Sequence, residues 1–156
     1  AKNVDLIMNL QGDEPTINIE DIKNLNKKMV SSQSRMGTLA AKIKDLKDLD
    51  NENIVKVITN KILNNDDFAE AKNFFRRSLE IANIYHHIGI YCYSIDTLKK
   101  FVELNQSKKE IENRLEQLRA LDNDIVINVA LASLSPIGVD TEEDYLALKK
   151  IMEYKV

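Results

Sequence analysis

The run Val4-Asp5-Leu6-Ile7-Met8-Asn9-Leu10 stops against Gln11-Gly12-Asp13-Glu14-Pro15, and this junction narrows the choice of fold more than any other stretch of the chain. A short, mostly apolar run has the length of a buried strand. Gly12 permits a tight turn, and Pro15 cannot continue a central strand. An amide and two carboxylates, Gln11, Asp13 and Glu14, are therefore delivered at the C-terminal end of a strand. In open α/β sheets ligands bind there. The same acids would also serve simply to cap the following helix.

Beyond Pro15 the period changes. Ile19, Ile22, Leu25 and Met29 recur at helical spacing, with Asn18 as an N-cap and Glu20 and Asp21 in the first turn. Ser31 to Ser34 should end that helix. Residues 36–43, 54–58, 70–77, 85–93 and 125–131 read as strands, rich in β-branched and aromatic side chains. Helices are expected over 96–104, from Ser107 with a capping box to Glu110, and from Thr141 to about Glu153. The helix opening at Ser107 is expected to bury a continuous stripe of Ile111, Leu115, Leu118 and Leu121. Strands alternating with helices predict an α/β fold, a mixed sheet flanked by helices.

The chain has 156 residues, 44% hydrophobic and 30% charged, which fits one globular domain. Its net charge of −3 comes from interspersed lysines and acids with no basic stripe, so no nucleic-acid partner is expected. Cys92 stands alone, which excludes an internal disulfide and fits a reducing cytoplasm. No apolar run approaches the ~20 residues of a membrane helix, and no membrane association is expected. The chain opens Ala1-Lys2-Asn3 without methionine and enters a core-type run at once, so it reads as the later part of a larger domain.

Strand alternation over 85–93 puts His86, Ile88, Ile90 and Cys92 on one face and Tyr85, His87, Gly89, Tyr91 and Tyr93 on the other. The second face is polar and aromatic with a gap at Gly89. It suits the floor of a small polar ligand site, or a half-buried edge with satisfied hydroxyls. Glu116 and Gln117 fall off the expected helical stripe and read, by pattern, as a solvated face. Asp140 follows Gly138-Val139 before the last helix, where it would cap. Should the strands before Asp13 and Asp140 lie side by side, two carboxylates would converge, a donor pair suited to Mg²⁺. Arg76 and Arg77 end another strand, where a guanidinium could hold a carboxylate or phosphate.

In order, the segments Asn9-Leu10-Gln11-Gly12-Asp13-Glu14-Pro15, His87-Ile88-Gly89-Ile90-Tyr91-Cys92-Tyr93, Leu115-Glu116-Gln117-Leu118-Arg119-Ala120-Leu121 and Gly138-Val139-Asp140-Thr141 resemble the CMP-KDO synthetase family, the 3-deoxy-manno-octulosonate cytidylyltransferases. The resemblance runs from about Val4 to Met152. It implies a nucleotide-diphospho-sugar transferase-like domain, here an incomplete Rossmann-like one, and a homodimer. It also implies a reaction: CTP and the sugar acid KDO give CMP-KDO and pyrophosphate, with Mg²⁺, for lipopolysaccharide. By resemblance Asp13 and Asp140 hold Mg²⁺ and are the catalytic pair. Gln11, His87, Tyr91, Glu116 and Gln117 bind the sugar acid, and Arg76 its carboxylate or a phosphate.

The sequence also departs from the family. The Gly-, Arg- and Lys-containing N-terminal loop that embraces the CTP phosphates is not in it, so the chain as given is expected to be inactive alone. Phe74-Phe75-Arg76-Arg77-Ser78 stands where the family carries Phe-Ser-Arg, and there is no tryptophan. Asn113 replaces a usual acid. Alternatives are a cytidylyltransferase for another sugar acid, of the sialic-acid type, and a non-catalytic dimerisation or binding remnant.

Overall fold

The structure is a computed structural model that describes residues 5–12, 16–77, 82–133 and 141–153. Its six strands are β1 (Leu6–Leu10), β2 (Met36–Ala41), β3 (Lys56–Thr59), β4 (Ala69–Phe75), β5 (Ile84–Ser94) and β6 (Asn128–Leu131). Among the described residues five α-helices accompany them, α1 (Ile19–Ser32), α2 (Ile95–Glu103), α3 (Lys108–Asn113), α4 (Gln117–Asp122) and α5 (Glu142–Glu153), with one 3-10 turn at Leu46–Leu49. The strands pair in the order β1-β5-β2-β6-β4-β3, and β3 returns to pair with the start of β5. All pairs are antiparallel except β2 with β6. This is the expected mixed sheet flanked by helices.

β5 is the axis of the sheet. It pairs with β2 along one side and with β1 and β3 along the other. Both of its faces are covered, so the tyrosine face is no half-exposed edge. Ile88, Ile90 and Cys92 join Leu25 and Met29 of α1 in one core layer. Tyr85, Tyr91 and Tyr93 join Phe74, Phe101, Leu115 and Leu118 in the other. Between Thr38 and Leu39 the register slips so that Gly89 and Ile90 of β5 face no β2 residue. Two extra residues, unlike one, preserve the alternation of faces, and the expected division of β5 survives the irregularity.

α1 lies on the sheet at Gly37, where a Cβ would meet Met29 Sδ at 2.6 Å and Phe68 Cζ at 2.9 Å. The lack of a side chain there lets helix and strand approach. Asn18 caps α1 by accepting from the Glu20 amide at 2.9 Å, as expected. The helix runs past Ser31 to Ser32 and ends at Gln33, in the left-handed region at φ 53°. Ser31 and Ser32 turn their hydroxyls back to the Lys28 carbonyl, which lets them stay helical. Ile19 is 66% exposed and drops out of the expected stripe.

The larger difference lies after Ser107. Its capping box with Glu110 forms, but the helix breaks at Arg114, at φ 54° in the left-handed region. Two short helices replace the single long one. The stripe is broken too, with Ile111 60% exposed while Leu115 and Leu118 are buried. The break resets the helical phase, so residues after Arg114 no longer follow the period set before it.

Candidate functional site

β1, β2 and β6 point the same way, because β1 and β2 both run antiparallel to β5 and β6 runs parallel to β2. The chain therefore leaves β1 and β6 at the same edge of the sheet. The two strands are not side by side, since β5 and β2 stand between them. Their loops are linked instead through α1. The Asp21 carboxylate accepts from the Ser133 amide at 3.1 Å and the Ser133 hydroxyl at 2.9 Å. Asp13 and Asp140 themselves lie outside the described residues. Among the described residues no cluster of three or more His, Cys, Asp or Glu side chains is placed to hold a metal.

Register explains Gln11. Leu10 is opposite Ile90, so continuing the ladder by one residue sets Gln11 against Gly89. The Gln11 side chain lies over that glycine, with Oε1 2.5 Å from where a Cβ would stand. The gap read from the sequence is thus the seat of Gln11. Asn9 faces Tyr91 and Ile7 faces Tyr93 across the same ladder, which adds Asn9 to the polar face.

A row of rings continues along this face. Phe74 meets His87 edge-on at 4.9 Å between centroids, His87 meets Tyr91 at 5.5 Å, and Tyr91 meets Tyr93 at 6.0 Å. Tyr93 then meets Phe101, over which the Arg119 guanidinium lies at 4.9 Å. Arg119 is held by Glu110, whose carboxyl it keeps below the usual carboxylate range through their hydrogen bonds. His87 is buried, and burial lowers its pKa to about 3, so the ring is neutral. Burial raises the Tyr91 phenol well above its ordinary value, with Tyr93 and Glu116 adding to the effect. Tyr93 is raised for the same first reason.

Gln117 is buried and Glu116 exposed. The pattern reading of a solvated pair is therefore wrong for Gln117, and the break at Arg114 is the reason. Among the described residues no hydrogen bond engages the side-chain amide of Gln117 or the hydroxyls of Tyr91 and Tyr93. Buried polar groups are rarely left so in a finished core. Tyr91 and Tyr93 lie together on one face of β5, an arrangement that suits a polar ligand.

Arg76 is differently employed from the expectation of an anion clamp. Its guanidinium donates to the carbonyls of Glu52, Asn113 and Arg114 at 2.9, 3.1 and 3.1 Å. Its own carbonyl accepts from the Lys56 ammonium, which also donates to the Asn51 carbonyl at 2.7 Å. Arg76 thus pins the left-handed turn that leads into Glu116 and Gln117. Arg77 pairs with Glu52 at 3.1 Å on the surface. Thr38 is the residue that sequence reading left out, and Tyr93 was placed on the polar face without a role of its own. The alternation of β5 and the segment from His87 to Tyr93 pointed to Tyr93, whereas nothing local pointed to Thr38.

Residues 1–128 match the family model described as Cytidylyltransferase. A 3-deoxy-manno-octulosonate cytidylyltransferase of Bartonella henselae is 37% identical over 97% of this chain and 62% of its own length. One from Thermodesulfovibrio yellowstonii is 40% identical over 94% of this chain and 60% of its own. The chain so spans about three fifths of the curated relatives it matches. A solved structure of CMP:2-keto-3-deoxy-manno-octonic acid synthetase complexed with CTP superposes with a TM-score of 0.85 at 28% identity, covering 97% of this chain and 63% of that one.

Proposed function

This chain belongs to the cytidylyltransferase family, and we propose that it is the sugar-acid-binding part of an enzyme that couples CTP to KDO and releases pyrophosphate. The observation that carries this is the face of β5. Gln11 seated on Gly89, neutral His87 and the buried Tyr91 share one face of the strand, against an otherwise apolar layer. A polyhydroxy acid would match these donors and acceptors. Glu116, exposed at the start of α4, stands at the rim of that surface.

In the proposed reaction the anomeric hydroxyl of KDO attacks the α-phosphorus of CTP in line. This chain's residues act by positioning: they orient the sugar acid and keep water from the attacking oxygen. Asp13 and Asp140 would hold Mg²⁺, their carboxylates being a donor set that fits a hard cation. The ion would screen the charge between nucleophile and triphosphate. The shared sheet edge of β1 and β6 and the link from Asp21 to Ser133 support that assignment. Product CMP-KDO would serve lipopolysaccharide assembly, in the cytoplasm. No described helix is long and apolar enough to cross a membrane.

We propose a homodimer as well. Among its described residues α5 buries only Leu148, while Tyr145, Leu146, Ile151 and Met152 are 38–59% exposed. A second copy would cover that apolar strip. Sedimentation of the chain as a monomer at every concentration would reject this.

The test of function is pyrophosphate release from CTP, KDO and Mg²⁺, by this chain and by one extended upstream, with KDO binding by this chain followed by calorimetry. Binding by this chain and turnover by the extended one are expected. Turnover by neither, with no KDO binding, would overturn the proposal. Supplying a sialic acid in competition tells which sugar acid is preferred.

A further inference from the structure

Thr38, on the fully buried strand β2, makes the one side-chain hydrogen bond to His87 among the described residues, and its hydrogen-bond arithmetic decides what His87 can bind. Thr38 Oγ1 lies 2.9 Å from His87 Nε2, 2.6 Å from the Ile90 carbonyl oxygen and 3.2 Å from that of Ile88. A hydroxyl has a single hydrogen, and carbonyl oxygens can only accept. The hydrogen goes to Ile90, the nearer carbonyl, and the Thr38 oxygen is left to accept. His87 Nε2 must therefore carry a proton. The ring is neutral because burial holds its pKa near 3. A neutral imidazole has one N–H, so Nδ1 is a bare lone pair. Among the described residues nothing donates to it, although the residue is only 6% exposed.

We propose that Thr38 is a positioning residue that locks His87 in the Nε2–H tautomer, so that Nδ1 accepts from a hydroxyl of the ligand and not from its carboxylate. The β5 irregularity makes this possible. Because the β2–β5 register slips between Thr38 and Leu39, the Ile90 carbonyl comes within reach of the Thr38 hydroxyl. A lone pair repels a carboxylate and welcomes an O–H. His87 thus recognises the polyol portion of the sugar acid, and the acid group must be gripped elsewhere. This rests on the sugar-acid reading for the ligand, but the tautomer is a property of the free protein.

Nitrogen-15 NMR of the histidine rings in the full chain, at neutral pH and without ligand, is the deciding measurement. The expected spectrum shows His87 Nε2 protonated and Nδ1 bare. In Thr38→Val, which removes the acceptor at nearly constant volume, the two tautomers mix, and Thr38→Ser restores the parent pattern. A protonated Nδ1 in the parent, or a Thr38→Val spectrum unchanged from the parent, overturns the inference. On adding KDO, Nδ1 shifts as it gains a hydrogen bond, while pyruvate, a keto acid without hydroxyls, leaves it unmoved. An equal shift with pyruvate, or calorimetric KDO binding without any Nδ1 shift, overturns the assignment to a hydroxyl. KDO affinity is expected to fall about tenfold in Thr38→Val and to hold in Thr38→Ser. Absence of all KDO binding defeats the proposed function, while the free-protein spectrum still decides the role of Thr38.

Discussion

Gln11 occupies the space of the side chain that Gly89 lacks, its Oε1 2.5 Å from the missing Cβ. The contact crosses the β1–β5 ladder one residue beyond its last pair, Leu10 with Ile90. A glycine in the middle of the sheet's longest strand weakens that strand. Here it makes room for an amide at the edge where β1 ends. Gly89→Ala is therefore expected to push Gln11 aside. The clash is with the free end of an exposed, flexible chain, so unfolding free energy should change by less than about 0.5 kcal/mol. KDO affinity should drop about tenfold through loss of one well-placed hydrogen bond. Thermal melts and calorimetry on the same sample would separate these, and an unchanged affinity would refute the role given to Gln11.

Arg76 joins the end of β4 to two other segments through the Glu52, Asn113 and Arg114 carbonyls. Arg76→Ala is expected to cost about 1–3 kcal/mol in urea unfolding, since half-exposed charged hydrogen bonds fall in that range. Arg76→Lys should recover little of it, because an ammonium cannot span a fork of carbonyls. Ligand affinity should fall with both, as Gln117 loses its fixed approach. Full recovery by lysine would show that charge alone matters.

Lys56 is fully buried and answers the carbonyls of Asn51 and Arg76. Burial lowers its pKa, against the opposing pull of Asp48 and Asp50. Lys56→Met keeps the apolar stem and leaves two carbonyls unpaired, which should cost about 1–3 kcal/mol. Combined with Arg76→Ala the loss should be less than additive, because both changes loosen one segment. Strict additivity in a double-mutant cycle would separate them into independent contacts.

Acid should weaken the fold through His87. Its folded pKa, near 3, lies below the ordinary 6.5 because of burial, with His86 a lesser cause. The unfolded chain binds the proton first, so the contribution is complete above pH 6.5 and is lost progressively as pH falls from 6.5 towards 3. For this one proton the slope is at most about 1.4 kcal/mol per pH unit. His86 is shifted the same way, also by burial, and adds to the effect. Urea midpoints at about pH 7 and about pH 5 should therefore differ more in the parent than in His87→Gln. Equal differences would remove His87 as the cause.

Much of this was legible in the sequence because local signals agreed with the tertiary outcome. Asn18 caps α1, Ser107 closes a box with Glu110, and β5 keeps the alternation its residues spell out. The burial of Gln117, named only by resemblance, was hidden from the helical pattern: Arg114 adopts a left-handed turn that its residue type does not announce, and the helical phase restarts after it. The structural role of Arg76 was not legible because its partners are backbone carbonyls far along the chain, which no motif encodes. Thr38 gains its role only where β2 meets the irregular stretch of β5. Asp13 and Asp140 lie outside the described residues, and their roles stay with the proposed function.

β2 also bears on how the chain reaches this state. All six of its residues are buried, yet both strands that flank it, β5 and β6, come later in the chain, beyond the β3–β4 excursion. While the chain is being made, β2 must wait with both edges open, and the parallel pair with β6 closes last. Distant pairings of this kind slow folding and leave sticky edges exposed meanwhile. Refolding should therefore be slow and sensitive to protein concentration, with aggregation competing. Rapid, concentration-independent refolding would mean that α1 shields β2 early.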